Sequence, residues 1–320
     1  MKVNWTLIGC GDIARRRVVP AIQNGQDSSL ISVCRADSEK AESFAREFGV
    51  QKWNEQWKNS VKDTEINSVY IATPVYLHAE QTIAAAQAGK NVLCEKPMAL
   101  NSADCTKMID ACKANNVKLG IAYYRHFYPA VNRIKKIISS GEIGEVVTVQ
   151  AENFENFNLP PGAPRYWFLR KELSGGGPMM DMGCHRIEVF TNIFGPIAST
   201  EAYHNNAAFL REVEDITTAH FTFKSGVTAV LISAHAIREP RDTLRIFGSK
   251  GSIHVPNLNA GTLEIFTDKR SRVEKYPNPE NTHQPLIDDF VQALEQNRNP
   301  AVDGEAGKSI NIILDDIYGR

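Results

Sequence analysis

Three short stretches carry side chains whose types and spacing suit chemistry. The stretch GGGPMMDMGCHRIE, residues 175–188, holds Asp181 and His185 four residues apart. A proline is tolerated in a helix's first turn, where its missing N–H would have no partner, so a helix is predicted from Pro178. Residues at i and i+4 then share one face. A carboxylate beside an imidazole raises its proton affinity and fixes its tautomer, which proton transfer requires. From the pair alone, a solvated ion pair on a helix surface is the competing reading. The second stretch is CEKP, where Lys96 stands between Glu95 and Pro97 just after the apolar run NVLCE at 91–95. A lysine at the carboxyl end of a parallel strand points into the crevice where such sheets bind ligands. Pro97 restrains the residue before it to extended conformations, so the lysine is directed. The third stretch, GCGDIA at Gly9–Ala14, fits G-x-G-x-x-A. There Gly9 permits the tight turn, Gly11 lets backbone approach a pyrophosphate, and Ala14 allows close packing of helix on strand.

The order of elements around these stretches gives them context. An apolar run at 3–8 precedes the glycine turn and helical character follows at 15–24, so strand, turn and helix come in the order a dinucleotide motif needs. Phosphates would rest on amides at a helix N-terminus, where the dipole favours negative charge. Gly9, Gly11, Asp12 and Ile13 are therefore assigned to a dinucleotide. Strands at 30–34, 68–72, 91–95 and 118–122 alternate with helices at 38–49, 76–89 and 102–116, which predicts a parallel sheet covered on both faces. Beyond it, a helix at 129–141 and runs at 145–154, 213–223, 227–237, 242–247, 251–255 and 262–267 predict a mainly antiparallel sheet, with helices at 177–195, 284–297 and 306–319. The fold class expected is an α/β Rossmann domain at 1–122 plus an α+β domain with an open sheet at 123–320, the latter for substrate and oligomerisation. In VTAVLISAHAI, 227–237, both alternating sets are largely apolar, which predicts cover on both faces, one of them a second subunit.

An acidic residue at the end of the second strand normally takes the ribose hydroxyls of NAD. Here VCRAD places Arg35 there, with Asp37 two residues on. A guanidinium holds a 2′-phosphate well and accepts no hydrogen bond from ribose, so NADP is favoured slightly over NAD. At 320 residues two domains are the expectation. A composition 42% hydrophobic and 23% charged with net charge −1 gives no electrostatic reason for a nucleic-acid or membrane partner. No run has the length of a membrane span and no signal segment stands at the start. The six cysteines lack metal or redox spacing and read as reduced thiols of a cytoplasmic protein. Asp181, Cys184 and His185 find no further cluster with metal-ligand spacing, so no metal is expected.

The motifs taken together resemble a known family. G-x-G-x-x-A, ATPVYLHAEQTIAAAQAGKNVLCEKPMAL, AYYRHFYPAV, SGEIGEV and GGGPMMDMGCHRIE follow in order along essentially the whole chain. They are similar to the glucose-fructose oxidoreductase, inositol dehydrogenase and rhizopine-catabolism (Gfo/Idh/MocA) family. The resemblance implies a nicotinamide-dependent oxidoreductase of sugars, cyclitols or polyols, working in the crevice between its domains as a homodimer or homotetramer. It implies that Lys96 matches the lysine that bonds the reacting oxygen, and that Asp181 and His185 match the aspartate and the acid/base histidine. Thr73, Pro74 and His78, with Glu95 and Lys96, match residues that border the cofactor. Tyr124, Tyr166 and Trp167 are assigned to substrate, the last two within an aromatic loop with Phe154, Phe157 and Phe168. Two departures stand out: Glu188 where many members have aspartate, and Phe168 after Trp167 where many have arginine. The family also implies two alternatives, an NAD-dependent glycosidase acting by transient oxidation and a cofactor-binding protein without turnover.

Overall fold

The computed structural model describes residues 2–320. They form two compact units, one made of the chain up to Tyr124 with Asn281–Asn311, the other of Arg125–Glu280 with Ile312–Arg320.

The first unit is built on a six-stranded sheet of β1 (Val3–Ile8), β2 (Ser28–Cys34), β3 (Lys52–Asn54), β4 (Ser68–Ile71), β5 (Asn91–Cys94) and β6 (Leu119–Ile121) in the order β3-β2-β1-β4-β5-β6. Every pairing is parallel. Strands covered on both faces read as unbroken apolar runs, and Trp5, Leu7, Val69, Tyr70, Val92 and Leu93 are fully buried. Strand order reverses beside β1, the switch point at which such sheets take ligands. The helix after β1 runs from Asp12 to Asn24 but widens into a π-helical stretch at Ala14–Val18. The helix Ser38–Phe48 starts on Asp37, whose carboxylate accepts from Lys40 N–H at 3.0 Å, and ends at Gly49 in the left-handed region.

The second unit holds an eight-stranded sheet of β7 (Val146–Asn156), β8 (Ile197–Asn205), β9 (Ile216–Phe223), β10 (Thr228–Ala234), β11 (Ala236–Gly248), β12 (Gly251–Val255), β13 (Thr262–Thr267) and β14 (Arg270–Lys275), ordered β14-β13-β12-β11-β7-β10-β9-β8. It is antiparallel throughout except where β10 pairs parallel with β7. One face is buried, through residues such as Val149, Ala151, Leu231, Leu244, Ile253 and Ile265. On the other, the cross-strand register aligns Tyr203, Val230, Ile232, Phe247, Phe266 and Val273, all at least partly exposed. The β10 strand is thus covered on one face within the chain, and its second apolar set faces outward.

The strands β3, β8 and β14 were absent from the sequence expectation. All three are sheet edges with no buried residue, so none shows the apolar alternation that marks a half-buried strand. The predicted run at 227–237 divides in two, because β10 ends at Ala234 and Ala236 already belongs to β11. Among the described residues no helix is long and apolar enough to cross a membrane. All six cysteines are buried and none is disulfide-bonded.

Candidate active site

In the first unit the glycine turn is shaped by its neighbours. Gly9 sits at φ +104°, and a Cβ there would lie 2.5 Å from the carbonyl carbon and oxygen of Ala72, so only glycine lets the turns after β1 and β4 touch. Gly11 is the opposite case: a Cβ there would meet nothing within 4 Å. Open space beside backbone at a helix start is what an approaching pyrophosphate needs, so these residues fit a dinucleotide. Asp12 and Ile13 open the helix; Asp12 is exposed and pairs with Arg16 at 3.3 Å. Arg35 follows β2 directly and its guanidinium donates to the Cys10 carbonyl at 2.8 Å, which holds it against the glycine turn. Asp37 is engaged elsewhere, capping its helix and accepting from Lys40 Nζ at 2.5 Å. Those bonds from Lys40 hold its carboxyl below the usual range.

Lys96 follows β5 in a half-buried position, joined to Pro97 by a cis peptide. Beneath it lies the buried Glu95, whose Oε1 accepts from the Tyr70 hydroxyl at 2.8 Å and lies 3.5 Å from His283 Nε2, while its Oε2 accepts from Lys96 N–H at 3.3 Å. Burial pushes the Glu95 carboxyl up, but His283, the Lys96 charge and the Tyr70 hydroxyl outweigh it and leave the carboxyl below its ordinary pKa. A charged Glu95 therefore sits in the unit's interior, positioning the lysine's turn. Tyr124 stacks on the same His283 at 4.7 Å and lies 5.6 Å from the Arg17 guanidinium. His78 is buried, its Nδ1 3.0 Å from the Pro97 carbonyl and its Nε2 2.9 Å from the Thr73 carbonyl. Burial holds its pKa below the ordinary value. The ring braces the Thr73–Pro74 turn against the lysine's turn, and Thr73 Oγ1 donates to Gln81 at 2.7 Å.

In the second unit the triple glycine explains itself by close approach. A Cβ on Gly176 would lie 2.4 Å from the Tyr318 ring, and one on Gly177 would lie 2.5 Å from the Glu214 carbonyl oxygen. Glu214 also accepts from Gly177 N–H at 2.9 Å and from the Tyr318 hydroxyl at 2.6 Å. The helix that begins at Pro178 is therefore clamped at its start, and Ser233 of β10 donates to the Pro178 carbonyl at 2.9 Å. The predicted helix is present, with one difference. Its first turn is π-helical at Met179–Gly183, and α-helical bonding resumes at Cys184–Phe194. Asp181 thus occupies the wide turn and His185, 6% exposed, the first regular one.

Two residues that sequence reasoning did not single out converge on Asp181. His235 Nε2 lies 3.6 Å from Asp181 Oδ2 and 3.8 Å from Glu155 Oε1. Parallel pairing of Ala234 with Phe154 carries the chain on to His235 and Glu155 at the same end of β10 and β7. A lone histidine in the apolar run VTAVLISAHAI was the available signal. Further along the helix, Glu188 is buried and 2.7 Å from His126 Nδ1, and burial raises its pKa while His126 lowers it. Arg186, fully buried, pairs with Asp242, and desolvation lowers its pKa to about 10. Both serve packing.

The aromatic loop divides its labour. Phe157 and Leu169 are buried in a cluster with Val213, and Tyr166 packs half-exposed against it. Trp167 and Phe168 stack at 3.8 Å, with the Arg165 guanidinium 5.1 Å from the Phe168 ring.

Comparison with known proteins places this architecture. Residues 3–123 match a family model described as an oxidoreductase family with an NAD-binding Rossmann fold, and residues 131–254 match the GFO/IDH/MocA C-terminal domain. An "Oxidoreductase P35" from Formosa agariphila is 32% identical over 98% of this chain and 97% of its own length. A 1,5-anhydro-D-fructose reductase from Ensifer adhaerens is 28% identical over 95% of this chain and 91% of its own. Among solved structures, the aldose-aldose oxidoreductase of Caulobacter crescentus, complexed with glycerol, superposes with a TM-score of 0.90 at 28% identity, covering 100% of this chain and 97% of that one. The resemblance read from the motifs holds over both units: the chain is an oxidoreductase of the Gfo/Idh/MocA family, with that family's NAD-binding Rossmann domain and C-terminal domain.

Proposed function

We propose that the protein is an NAD(P)-dependent dehydrogenase or reductase of CH–OH groups whose substrate is a sugar, cyclitol or related polyol. The observation that carries this reading is Lys96, set by a buried, charged Glu95 at the carboxyl end of β5 in a nucleotide-binding sheet. The sugar chemistry in the names of the Ensifer and Caulobacter relatives supports the substrate class. The bound nicotinamide would supply the hydride acceptor or donor. His185 would take the hydroxyl proton in oxidation and return it in reduction, and Asp181 would favour the protonated imidazole. Lys96 would hold the oxygen as negative charge develops on it. Thr73, Pro74 and His78 would shape the floor of the cofactor site, and Tyr124, Tyr166 and Trp167 would offer aromatic surface to the substrate. Incubating the protein with polyols and sugars and each cofactor tests the reading: net change in nicotinamide absorbance supports it, and no change with any pair contradicts it.

On cofactor choice we favour NADP. Asp37 is committed to Lys40 and its helix cap, whereas Arg35 borders the glycine turn. An arginine fork pairs bidentately with a 2′-phosphate. NADP should bind about tenfold, ~1.4 kcal/mol, more tightly than NAD, and Arg35→Asp should reverse the order. Titration calorimetry showing NAD as the tighter ligand of the unmutated protein would refute this.

The outward row of Tyr203, Phe247, Phe266 and Val273, exposed by 72%, 37%, 44% and 62%, supports a homodimer or homotetramer built on the open sheet face. Light scattering should find a multiple of 35.6 kDa at micromolar protein, and a monomer alone would exclude it.

A further inference from the structure

We propose that Glu155, Asp181 and His235 form a binding site for a divalent transition-metal ion of the zinc class. Their candidate ligand atoms all lie within 4.8 Å of one another. The imidazole of His235 is fully buried and makes no hydrogen bond through either ring nitrogen, yet its Nε2 is aimed at both carboxylates. Polar groups sealed in an interior without partners are rare, so something should occupy the space before this nitrogen.

Distance indicates what it is. At 3.6 Å from Asp181 Oδ2 and 3.8 Å from Glu155 Oε1, Nε2 is too far from either for a hydrogen bond. Ligands that share one tetrahedral ion at ~2.1 Å stand ~3.4 Å apart, close to both separations. One imidazole with two carboxylates is a donor set for zinc, cobalt or iron more than for magnesium or calcium, which prefer all-oxygen shells. The scaffold is rigid where it needs to be. The His235 backbone donates to the Asp215 carbonyl at 2.9 Å and accepts from Phe157 N–H at 2.8 Å, and the Phe157 ring lies 5.1 Å from the imidazole. Asp181 is held in the π turn clamped by Gly177 and Pro178. The Glu155 side chain, 42% exposed, opens most to solvent, which gives the ion a way in and leaves water a coordination position.

Tag-free protein stripped with chelator and titrated calorimetrically with Zn²⁺ tests the site, with Co²⁺ visible absorption as a report on coordination geometry. Saturable binding of one ion per chain is expected, with a low-symmetry Co²⁺ spectrum. Glu155→Gln, at a half-exposed position where folding is not at stake, should weaken binding at least ~10-fold. His235→Ala should abolish it, with circular dichroism confirming the fold. Failure of the unmutated protein to bind one ion, or equal affinity in Glu155→Gln, would overturn the proposal. Asp181 also figures in the proposed hydride chemistry, but the outcomes separate: polyol turnover without ion binding removes this inference alone, and ion binding without turnover removes only the other.

Discussion

Turnover should fall at least ~100-fold when His185 is replaced by alanine or Lys96 by methionine, while cofactor affinity stays nearly intact. The two side chains are assigned to different parts of one event. Without His185 the hydroxyl proton has no acceptor, and without the lysine the developing oxygen charge has no fixed partner. Neither residue belongs to the glycine turn that takes the phosphates, and Lys96 only borders the cofactor, so the nucleotide should still bind. The surroundings support the variants structurally: Glu95 keeps its bond from Tyr70 and its neighbour His283 when only the Lys96 side chain changes. His185 is 6% exposed, so His185→Asn, which preserves part of the ring's shape and polarity, serves as a second variant should alanine unsettle the helix. Stopped-flow hydride transfer at the unmutated rate in a folded variant would remove the assignment.

The next largest effects are expected at the glycine turn, where two neighbouring substitutions should fail in different ways. In Gly9→Ala the new methyl would sit 2.5 Å from the Ala72 carbonyl, on backbone at φ +104° that L side chains rarely adopt. Strain of this kind costs about 1–3 kcal/mol, so both stability and cofactor binding should drop. In Gly11→Ala the methyl meets no protein atom within 4 Å. Stability should hold or rise slightly, because alanine narrows the unfolded ensemble. The methyl would still occupy the space in which backbone approaches phosphate, so cofactor affinity should fall by about tenfold or more, ~1.4 kcal/mol. Thermal unfolding paired with calorimetric titration separates the two. A Gly11→Ala protein with unchanged cofactor affinity would show that the phosphates lie elsewhere.

What could be read in advance was largely local. GCGDIA between an apolar run and a helix, and the proline that opens the helix at 178, work through neighbours in sequence, and both are found as expected. Asp37 is equally legible as a cap, the residue just before a run of helical character, and the structure gives it that place. The features that escaped depend on distant pairings. His235 meets Asp181 because β10 and β7 run parallel in one register, and no spacing along the chain encodes that. The support under Lys96 depends on His283, which reaches Glu95 only because residues 281–311 return to the first unit. The π turn that carries Asp181 has no residue signature, and it follows directly on the glycines that Glu214, Tyr318 and Ser233 clamp. Edge strands such as β14, with the sequence RSRVEK, escape because they bury too little to leave a pattern.

The central claim is hydride exchange between nicotinamide and the CH–OH carbon of a polyol or sugar, and net cofactor conversion tests it most directly. Purified protein incubated with each oxidised cofactor and a panel of polyols and sugars should show nicotinamide reduction in proportion to substrate consumed, and the His185→Ala protein should show almost none. Cleavage of a glycoside with no net change in the cofactor, or the absence of any cofactor conversion across the panel in both directions, would contradict it.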